Sequence, residues 1–353
     1  MKIAMISTPF LRVPPRDYGG TELVVHELVE GLVRRGHEVT LFATGDSLTE
    51  GTLRWRYPTG QWPPDHMTDL DHVAWAMEEV GNGPFDVVHA HSASALAFRG
   101  LVPRCPMAYT LHHARDERLS SFYRHHHHAY FVAISADQAR REMPLPRLTV
   151  IHHGVDPADF RAVPVPSECI CFIGRLAEEK GPATAIDMAR AAGLPITVAG
   201  TVHPQDRGYV ELELTHRLAQ PHVTFLGPVD LQAKSAMLQR ARALAAPITW
   251  NEPFGLIAIE AMMSGCPVVG FSRGSLPELV EKEVTGYLAG DEREMVELIR
   301  PGGPIDGFDR LRCRARAIER FSSARMVADY ERLYSMMLAG HRRALPGKTS
   351  RVA

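Results

Sequence analysis

The 353-residue sequence has no long apolar run and no excess of charge of one sign. A membrane-spanning helix needs about 18 consecutive uncharged apolar residues, and no stretch of the sequence is that long. We therefore expect no integral membrane segment. The apolar N-terminus, residues 1–10, is too short for a secretory signal, which predicts a cytoplasmic location. The formal net charge is −2, whereas nucleic-acid binders are usually basic, so we expect no nucleic-acid partner.

Several motifs are absent as well. Five cysteines occur without the paired spacing of a zinc site, and an odd number does not complete a disulfide framework. Neither GxxxxGK followed by Ser or Thr nor a GxGxxG after a strand is present, which disfavours P-loop nucleotidases and nicotinamide or flavin enzymes. Lysine is scarce, with five among 39 basic residues, so a lysine inside a motif is informative.

The sequence does contain a regular alternation of short apolar strands with amphipathic helices, which predicts βαβ units and parallel sheets. A proline-rich segment, 156–168, divides the alternation into two series and is interpreted as a linker. The predicted fold class is therefore α/β, with two Rossmann-like, doubly wound domains facing each other across a cleft. Because ligands bind at the carboxyl ends of parallel strands, we expect the functional site in that cleft. The predicted strands lie at 2–7, 38–43, 86–91, 107–112, 130–135, 148–154, 168–175, 195–200, 222–227, 243–247, 267–271 and 286–289.

Two carboxylates stand eight positions apart, Glu252 and Glu260. Eight residues are about two helical turns, so one carboxylate can precede a helix while the other lies on the same face within it. Phe254, Gly255 and Leu256 fall at the predicted start of that helix, where free backbone N–H groups attract anions. From the pattern alone, a capped amphipathic helix with incidental glutamates is a slightly better interpretation.

A second charged segment, 174–181, directly follows a predicted strand and contains Arg175 and Lys180. A guanidinium and an ammonium in one strand-to-helix loop can converge on a single polyanion. The alternative is a solvated loop in which Glu178 and Glu179 neutralise both cations.

Together these segments resemble the retaining nucleotide-sugar glycosyltransferases of family GT4, which have the two-domain GT-B fold. The resemblance implies an acceptor-binding domain near 1–156 and a donor-binding domain near 165–320, with a helix at 322–338 returning to the first domain. The matching segments are GGTE (19–22), TLHH (110–113), HHGVD (152–156), GRLAEEKG (174–181), FLGPV (225–229), the long block 252–280, TGYL (285–288) and 320–334.

The resemblance also implies roles for individual residues at the donor site. Arg175 and Lys180 map to the cations that bind the donor diphosphate, Glu252 to the donor sugar and Glu260 to the ribose hydroxyls. The backbone of Phe254, Gly255 and Leu256 would approach the sugar and phosphate, Gly227 and Val229 would flank the base, and Gly19 and Gly20 would reach toward the phosphate. Without the resemblance, a plain helix-entry turn with Thr21 as the N-cap is the better interpretation of the glycine pair.

Histidines are the candidates for contact with the reacting sugar and the acceptor. His112 maps to the family histidine near the reacting face of the donor sugar, so the implied catalytic residues are His112, Glu252, Arg175 and Lys180. His113 is adjacent, and strand register alone does not decide which of the two contacts the sugar. His113 is also a candidate for acceptor binding, together with His89 and His91. His89 and His91 share one face of a predicted strand that ends near the cleft, where acceptor binding and plain packing are equally well supported.

We expect no metal ion and no cofactor, because preorganised cations and a helix N-terminus stabilise the charge that grows on a leaving diphosphate. Asp69 and Asp71 match the metal-binding DxD of another glycosyltransferase fold, but they stand at a predicted helix start, where aspartates have a structural role. The run 125–128 of four histidines is interpreted as a polar helix end rather than a metal site. Two positions depart from the family pattern: Gly274 is followed by Ser275 instead of a second glycine, and Ser92 replaces an acidic residue.

The resemblance predicts a glycosyltransferase that uses a nucleotide-diphosphate sugar, most commonly a UDP-sugar in similar proteins, with GDP and ADP still open. The acceptor is a glycan, a lipid-linked glycan or a natural-product oligosaccharide, and the arginine-rich composition favours the last. No carboxylate is an evident nucleophile for a double displacement, so we favour a front-face mechanism. The alternatives are a GT-B nucleotide-sugar epimerase and a non-catalytic sugar-nucleotide-binding protein.

Overall fold

The computed structural model describes residues 1–17 and 19–344, except for the side chains of 342–344. Two parallel sheets organise this part of the chain. The first contains β1 (Lys2–Ile6), β2 (Glu38–Ala43), β3 (Thr52–Trp55), β4 (Val87–Ala90), β5 (Met107–Leu111), β6 (Tyr130–Ala133) and β7 (Leu148–Val150). The second contains β8 (Ile170–Ile173), β9 (Ile196–Ala199), β10 (Val223–Phe225), β11 (Leu244–Ala246), β12 (Val268–Phe271) and β13 (Gly286–Ala289).

Both sheets are doubly wound. The strand orders are β3-β2-β1-β4-β5-β6-β7 and β10-β9-β8-β11-β12-β13. In each sheet the chain first adds strands on one side of the first strand, β1 or β8, and then adds the remaining strands on its other side. Every strand pair within the two sheets is parallel. The predicted fold class, with two Rossmann-like domains, is therefore confirmed.

Helices cover the sheets of both domains. They are α1 (Gly20–Arg34), α2 (His66–Asn82), α3 (Glu117–His125), α4 (Ala136–Arg141), α5 (Pro182–Ala191), α6 (Arg207–Tyr209), α7 (Thr215–Leu218), α8 (Leu231–Arg240), α9 (Leu256–Met263), α10 (Leu276–Leu279), α11 (Glu292–Ile299), α12 (Arg310–Phe321) and α13 (Ser323–Ala344). A π-helical turn, Val210–Leu214, joins α6 to α7, and a 3₁₀ helix, Ala93–Leu101, follows β4. Among the described residues, no helix has both the length and the apolar character needed to cross a membrane.

The apolar runs of the strands explain why both faces of the first sheet are covered. In β1, Ile3 and Met5 pack into the cluster formed with α1 and α13, whereas Ala4 and Ile6 pack into the cluster formed with α2. All four side chains are fully buried. Because helices cover both faces of the sheet, side chains on either side of the strand are buried, and all four of these positions are apolar.

The last helix, α13, packs on α1 of the first domain. A Cβ atom added at Gly31 in α1 would lie 2.3 Å from Cγ2 of Val327, so a glycine is required for this close approach. The preceding helix, α12, belongs to the second domain through the buried Arg310, which donates to the carbonyl oxygens of Val163, Gln239 and Ala241.

Candidate active site

A cleft of about 1100 Å³ separates the two domains. Its volume is slightly above the usual range for small-molecule sites, which suits an extended ligand. The structure brings most of the sequence-predicted site residues into its lining: Gly19, Gly20, His112, Arg175, Lys180, Val229, Glu252, Phe254, Gly255, Leu256 and Glu260. Gly227, His89, His91 and His113 are not in the lining.

Two helix N-termini meet in the cleft. Helix α1 begins at Gly20 and α9 at Leu256, and a Cβ atom added at Gly20 would lie 3.2 Å from Cδ1 of Leu256. Neither helix has a side-chain hydrogen bond at its N-cap, which is Gly19 in α1 and Gly255 in α9. Free N–H groups and the positive ends of two helix dipoles are therefore directed into one region.

The N-cap positions also correct one interpretation of the sequence. Thr21 lies inside α1 rather than at its N-cap, so the alternative in which Thr21 caps the helix is wrong. Gly255 has φ of +86°, a left-handed conformation in which a side chain would be strained. Glycine is thus needed where the chain enters α9 in the cleft.

Both cations of the segment 174–181 lie in the cleft, and each is paired with a carboxylate. Nη1 of Arg175 lies 3.2 Å from Oδ2 of Asp206, and its second nitrogen contacts Glu179. Lys180 contacts Glu252 of the other charged segment. The alternative in which Glu178 and Glu179 neutralise both cations therefore holds for Arg175 alone.

Glu252 is held by two neighbours at once. Its Oε2 receives the contact from Lys180 and also accepts a hydrogen bond of 2.9 Å from Nε1 of Trp250. The Lys180 ammonium lies 5.0 Å from the centre of the Trp250 ring, a cation–π distance. A basic side chain, an acidic side chain and an aromatic ring therefore form one compact unit at the cleft wall.

The second glutamate, Glu260, is 2% exposed, and its Oε1 lies 2.5 Å from Nζ of Lys234 in α8. The ammonium offsets the cost of burying the carboxylate charge. The contact with Lys234 is made through Oε1, and Glu260 also lines the cleft. Sequence reasoning missed Lys234, although the scarcity of lysine was a signal that could have identified it.

The histidines near the cleft form a layered cluster inside the first domain. His112 is partly exposed at the cleft, and its Nε2 lies 2.7 Å from Nδ1 of His91, the residue that follows β4. His153 stacks on His112 with ring centres 5.4 Å apart and packs edge-on against Phe254. Sequence reasoning missed His153 as a cleft residue, although it lies in the HHGVD segment that matches the family.

His89 in β4 and His91 directly after it do not line the cleft, which corrects the acceptor-binding hypothesis for both. His89 is fully buried, with Nδ1 2.7 Å from the Tyr334 hydroxyl and Nε2 2.8 Å from Oγ1 of Thr110. His91 is 4% exposed. Plain packing, the other interpretation of this strand face, is the one that the burial supports.

His113 also faces away from the cleft, since its Nε2 lies 2.8 Å from the Tyr123 hydroxyl. Of the two adjacent histidines, His112 is therefore the one that can meet a ligand in the cleft. Gly227 itself is not in the cleft lining, but its carbonyl oxygen accepts a hydrogen bond of 2.8 Å from the N–H of Gly200, which is part of the lining. Val229, two residues further on, also lines the cleft.

Burial keeps the cluster of histidines neutral. Desolvation lowers the pKa of His89 and that of His153 to about 3. It also lowers the pKa of His91 and that of His112 well below the ordinary value. These rings are therefore uncharged imidazoles near neutral pH, each with one N–H donor and one acceptor nitrogen.

The two metal-like patterns have other partners. Asp69 accepts hydrogen bonds from the hydroxyls of Ser92 at 2.8 Å and Ser94 at 2.5 Å, and Asp71 pairs with Arg56. The histidine run leaves its helix at once, since α3 ends at His125. Among the described residues, no three His, Cys, Asp or Glu side chains converge so as to hold a metal ion.

Two family models match the chain, "Glycosyltransferase Family 4" over residues 18–159 and "Glycosyl transferases group 1" over residues 159–300. Across 81% of its length the chain is 28% identical to an uncharacterised glycosyltransferase of Methanocaldococcus jannaschii, of which it covers 84%. It is 33% identical over 235 residues to the D-inositol 3-phosphate glycosyltransferases of Mycobacterium tuberculosis and Mycobacterium bovis. That match spans 59% of this chain and 47% of those proteins, about half their length.

Solved structures share the architecture over nearly the whole chain. The glycosyltransferase AviGT4, involved in avilamycin A biosynthesis, superimposes with a TM-score of 0.76 at 25% identity, covering 96% of this chain and 98% of that one. Anabaena HepE, solved in complex with UDP-glucose, gives a TM-score of 0.71 at 20% identity over 95% and 100% of the two chains. The likeness to HepE shows the fold alone.

Proposed function

The chain belongs to the GT4-like glycosyltransferases of the GT-B fold, and we propose that it transfers a sugar from a UDP-sugar to an acceptor hydroxyl with retention of configuration. The reaction needs no metal ion. The observation that carries this proposal is the meeting of two uncapped helix N-termini beside Arg175 and Lys180 in the interdomain cleft.

The diphosphate binds where the helix N-termini converge. Each helix end is equivalent to roughly half a positive charge, and neither end is occupied by a capping side chain. Arg175 and Lys180 exchange their carboxylate partners for phosphate oxygens. When the bond between the sugar and the diphosphate breaks, these fixed positive groups stabilise the charge that develops on the leaving group.

The rest of the donor extends along the second domain. Glu252, once Lys180 turns to the phosphates, accepts hydrogen bonds from hydroxyls of the donor sugar. Oε2 of the buried Glu260 accepts from a ribose hydroxyl, and Val229 flanks the base. HepE binds UDP-glucose on the same fold, which supports UDP as the nucleotide of this chain.

The acceptor approaches from the first domain. That wall of the cleft presents apolar groups, among them Phe10, Leu11 and Trp62, which suit the C–H faces of a pyranose. The acceptor oxygen attacks the anomeric carbon on the face from which the diphosphate departs, and its proton passes to the leaving phosphate oxygen. The part that AviGT4 plays in avilamycin A biosynthesis supports a natural-product oligosaccharide, with other glycans and lipid-linked glycans as the wider class.

The proposal is tested by a thermal-shift panel of UDP, GDP and ADP, each with EDTA and with manganese. A nucleotide that binds the folded state raises its melting temperature, and we expect the largest shift with UDP, unchanged by EDTA. Lys180→Gln and Arg175→Gln should each lower transfer on the order of 10²–10³-fold. The exposed Lys282 and Arg293 provide matched controls as Lys282→Gln and Arg293→Gln.

Three results would contradict the proposal. Turnover that disappears with EDTA and returns with manganese would overturn the metal-independent reaction. Conversion of a UDP-sugar to its epimer without an acceptor would identify an epimerase. Nucleotide binding with neither transfer nor donor hydrolysis would identify a non-catalytic binding protein.

A further inference from the structure

A line of three buried or half-buried side chains runs from the core of the first domain to the cleft. Sδ of Met5 lies 3.2 Å from Nε2 of His91, and Nδ1 of His91 lies 2.7 Å from Nε2 of His112. Met5 is fully buried, and His91 is 4% exposed. Only His112, at the end of the line, reaches the cleft.

We infer that Met5 and His91 fix the tautomer of His112, so that its Nδ1 faces the donor sugar as a hydrogen-bond acceptor. The proposal rests on the proposed function, because it places the donor sugar beside His112. It goes further by assigning two positioning residues and the polarity of the contact.

The Met5 sulfur determines which atom donates in each hydrogen bond along this line. A thioether carries no proton and can only accept, so the favourable state of His91 has its proton on Nε2, facing Met5. The neutral His91 ring then presents a lone pair at Nδ1, and the 2.7 Å contact requires His112 to donate from Nε2. His112, with its single proton committed to His91, retains a lone pair on Nδ1.

The reverse direction places two lone pairs against each other. If His91 donated from Nδ1 to His112, its bare Nε2 would face the bare sulfur at 3.2 Å in a site without water contact. Neighbouring rings do not relieve this arrangement. Both nitrogens of His89 already contact Tyr334 and Thr110, and His153 stacks on the face of His112 instead of meeting its edge.

An acceptor nitrogen on His112 determines which donor groups of a ligand can bind there. Nδ1 of His112 accepts a hydrogen bond from a sugar hydroxyl, but it carries no proton that it could donate to the leaving phosphate. His112 is therefore a sugar-orienting residue rather than a general acid. The preferred donor is a nucleotide sugar with a free hydroxyl on the face turned toward the first domain, and its deoxy analogue should be transferred at least about tenfold more slowly.

The first experiment reads the tautomer directly, without substrate. Protein labelled with ¹⁵N-histidine is studied by long-range proton–nitrogen correlation, with the His91 and His112 signals assigned through the variants His91→Gln and His112→Gln. We expect protonated Nε2 and bare Nδ1 on both rings. Met5→Leu, which keeps the volume but removes the acceptor, should mix the tautomers of both. Met77→Leu, at another fully buried methionine of the same domain, should leave them unchanged.

The second experiment links the tautomer to transfer. An asparagine side chain places its amide at the position of Nδ1, whereas glutamine places it at the position of Nε2. His112→Asn should therefore retain at least about tenfold more kcat than His112→Gln, with UDP affinity equal in both. Met5→Leu should lower kcat several-fold with UDP affinity unchanged, and Met77→Leu should not.

Opposite results overturn the proposal in distinguishable ways. A proton on Nδ1 of His112 in the unaltered protein would refute the tautomer assignment while leaving UDP binding and transfer, and thus the proposed function, intact. Mixed tautomers in Met5→Leu with unchanged kcat would refute the positioning role. If UDP did not bind and no transfer occurred, the proposed function would fail whatever the tautomer.

Discussion

Lowering the pH from 6.5 to 5.5 should destabilise the first domain, because four histidines are buried there as neutral rings: His72, His89, His91 and His153. Burial lowers the pKa of His72 to about 4 and that of His89 and His153 to about 3, and holds the pKa of His91 well below the ordinary value. In the unfolded chain all four titrate near pH 6.5. Below that pH the unfolded state binds more protons than the folded state, so the free energy of unfolding falls as the pH falls.

The size of the effect follows from the same values. Between pH 6.5 and 5.5 each histidine lowers the free energy of unfolding by about 1 kcal/mol, or about 4 kcal/mol for the four. Glu27 acts in the opposite direction, because burial raises its pKa from 4.5 to about 7 and the folded state takes up its proton first. Its contribution over this interval is about 1 kcal/mol of added stability as the pH falls. Burial also raises the pKa of Glu22 and lowers that of His112, and these two contributions to the pH dependence have opposite signs. A net loss of about 3 kcal/mol is large against the about 5–15 kcal/mol of a typical domain.

Urea unfolding at pH 5.5, 6.0, 6.5 and 7.5 measures this dependence. His72→Phe keeps a ring of similar volume and removes one titrating group, so it should lower the contribution of the four histidines to the slope by about a quarter. The exposed His66 supplies the control, and His66→Gln should leave the slope unchanged. A His72→Phe slope equal to that of the unaltered protein would show that the buried rings do not set the pH dependence.

Two further predictions concern packing and the ribose contact. Lys234→Met leaves the Glu260 carboxylate buried without its cation. In a binding titration, UDP affinity and the preference for UDP over its 2′-deoxy analogue should therefore both fall about tenfold. The control Lys282→Met should change neither quantity. Gly31→Val places a side chain against Val327 and should lower the free energy of unfolding by about 1–3 kcal/mol in urea, an effect that would be absent if α13 did not pack on α1.

Strands with continuous apolar runs were predictable from the sequence, because helices on both faces of a parallel sheet require such runs. The strand β3 was missed, since this edge strand is mostly exposed and has no buried periodicity. The helix α12 was missed as well, because its fully buried apolar positions are limited to Cys313, Ala317 and Phe321 among many arginines.

Site residues within one motif were predictable, but contacts between distant segments were not. The pair of Lys180 with Glu252 joins segments 72 positions apart, and that of Lys234 with Glu260 joins two different helices. The contact between His91 and His112 arises because β4 and β5 are neighbours in the sheet. Strand alternation placed His91 on a face, but the position of the cleft along that face depends on the packing of two domains.

If Lys180 exchanges Glu252 for a phosphate, a substitution at Glu252 should change UDP affinity and the rate of transfer in opposite directions. If Lys180 must leave Glu252 in order to bind a phosphate, Glu252→Gln weakens the competing contact and should strengthen UDP binding by about 1 kcal/mol, roughly fivefold in Kd. Transfer should nevertheless decrease, because the same carboxylate accepts hydrogen bonds from the donor sugar. Titration calorimetry with UDP measures the first effect and steady-state kcat the second, with Glu178→Gln as the control at a neighbouring exposed glutamate. Weaker UDP binding in Glu252→Gln would mean that Glu252 holds Lys180 in place for the phosphate instead of competing for it.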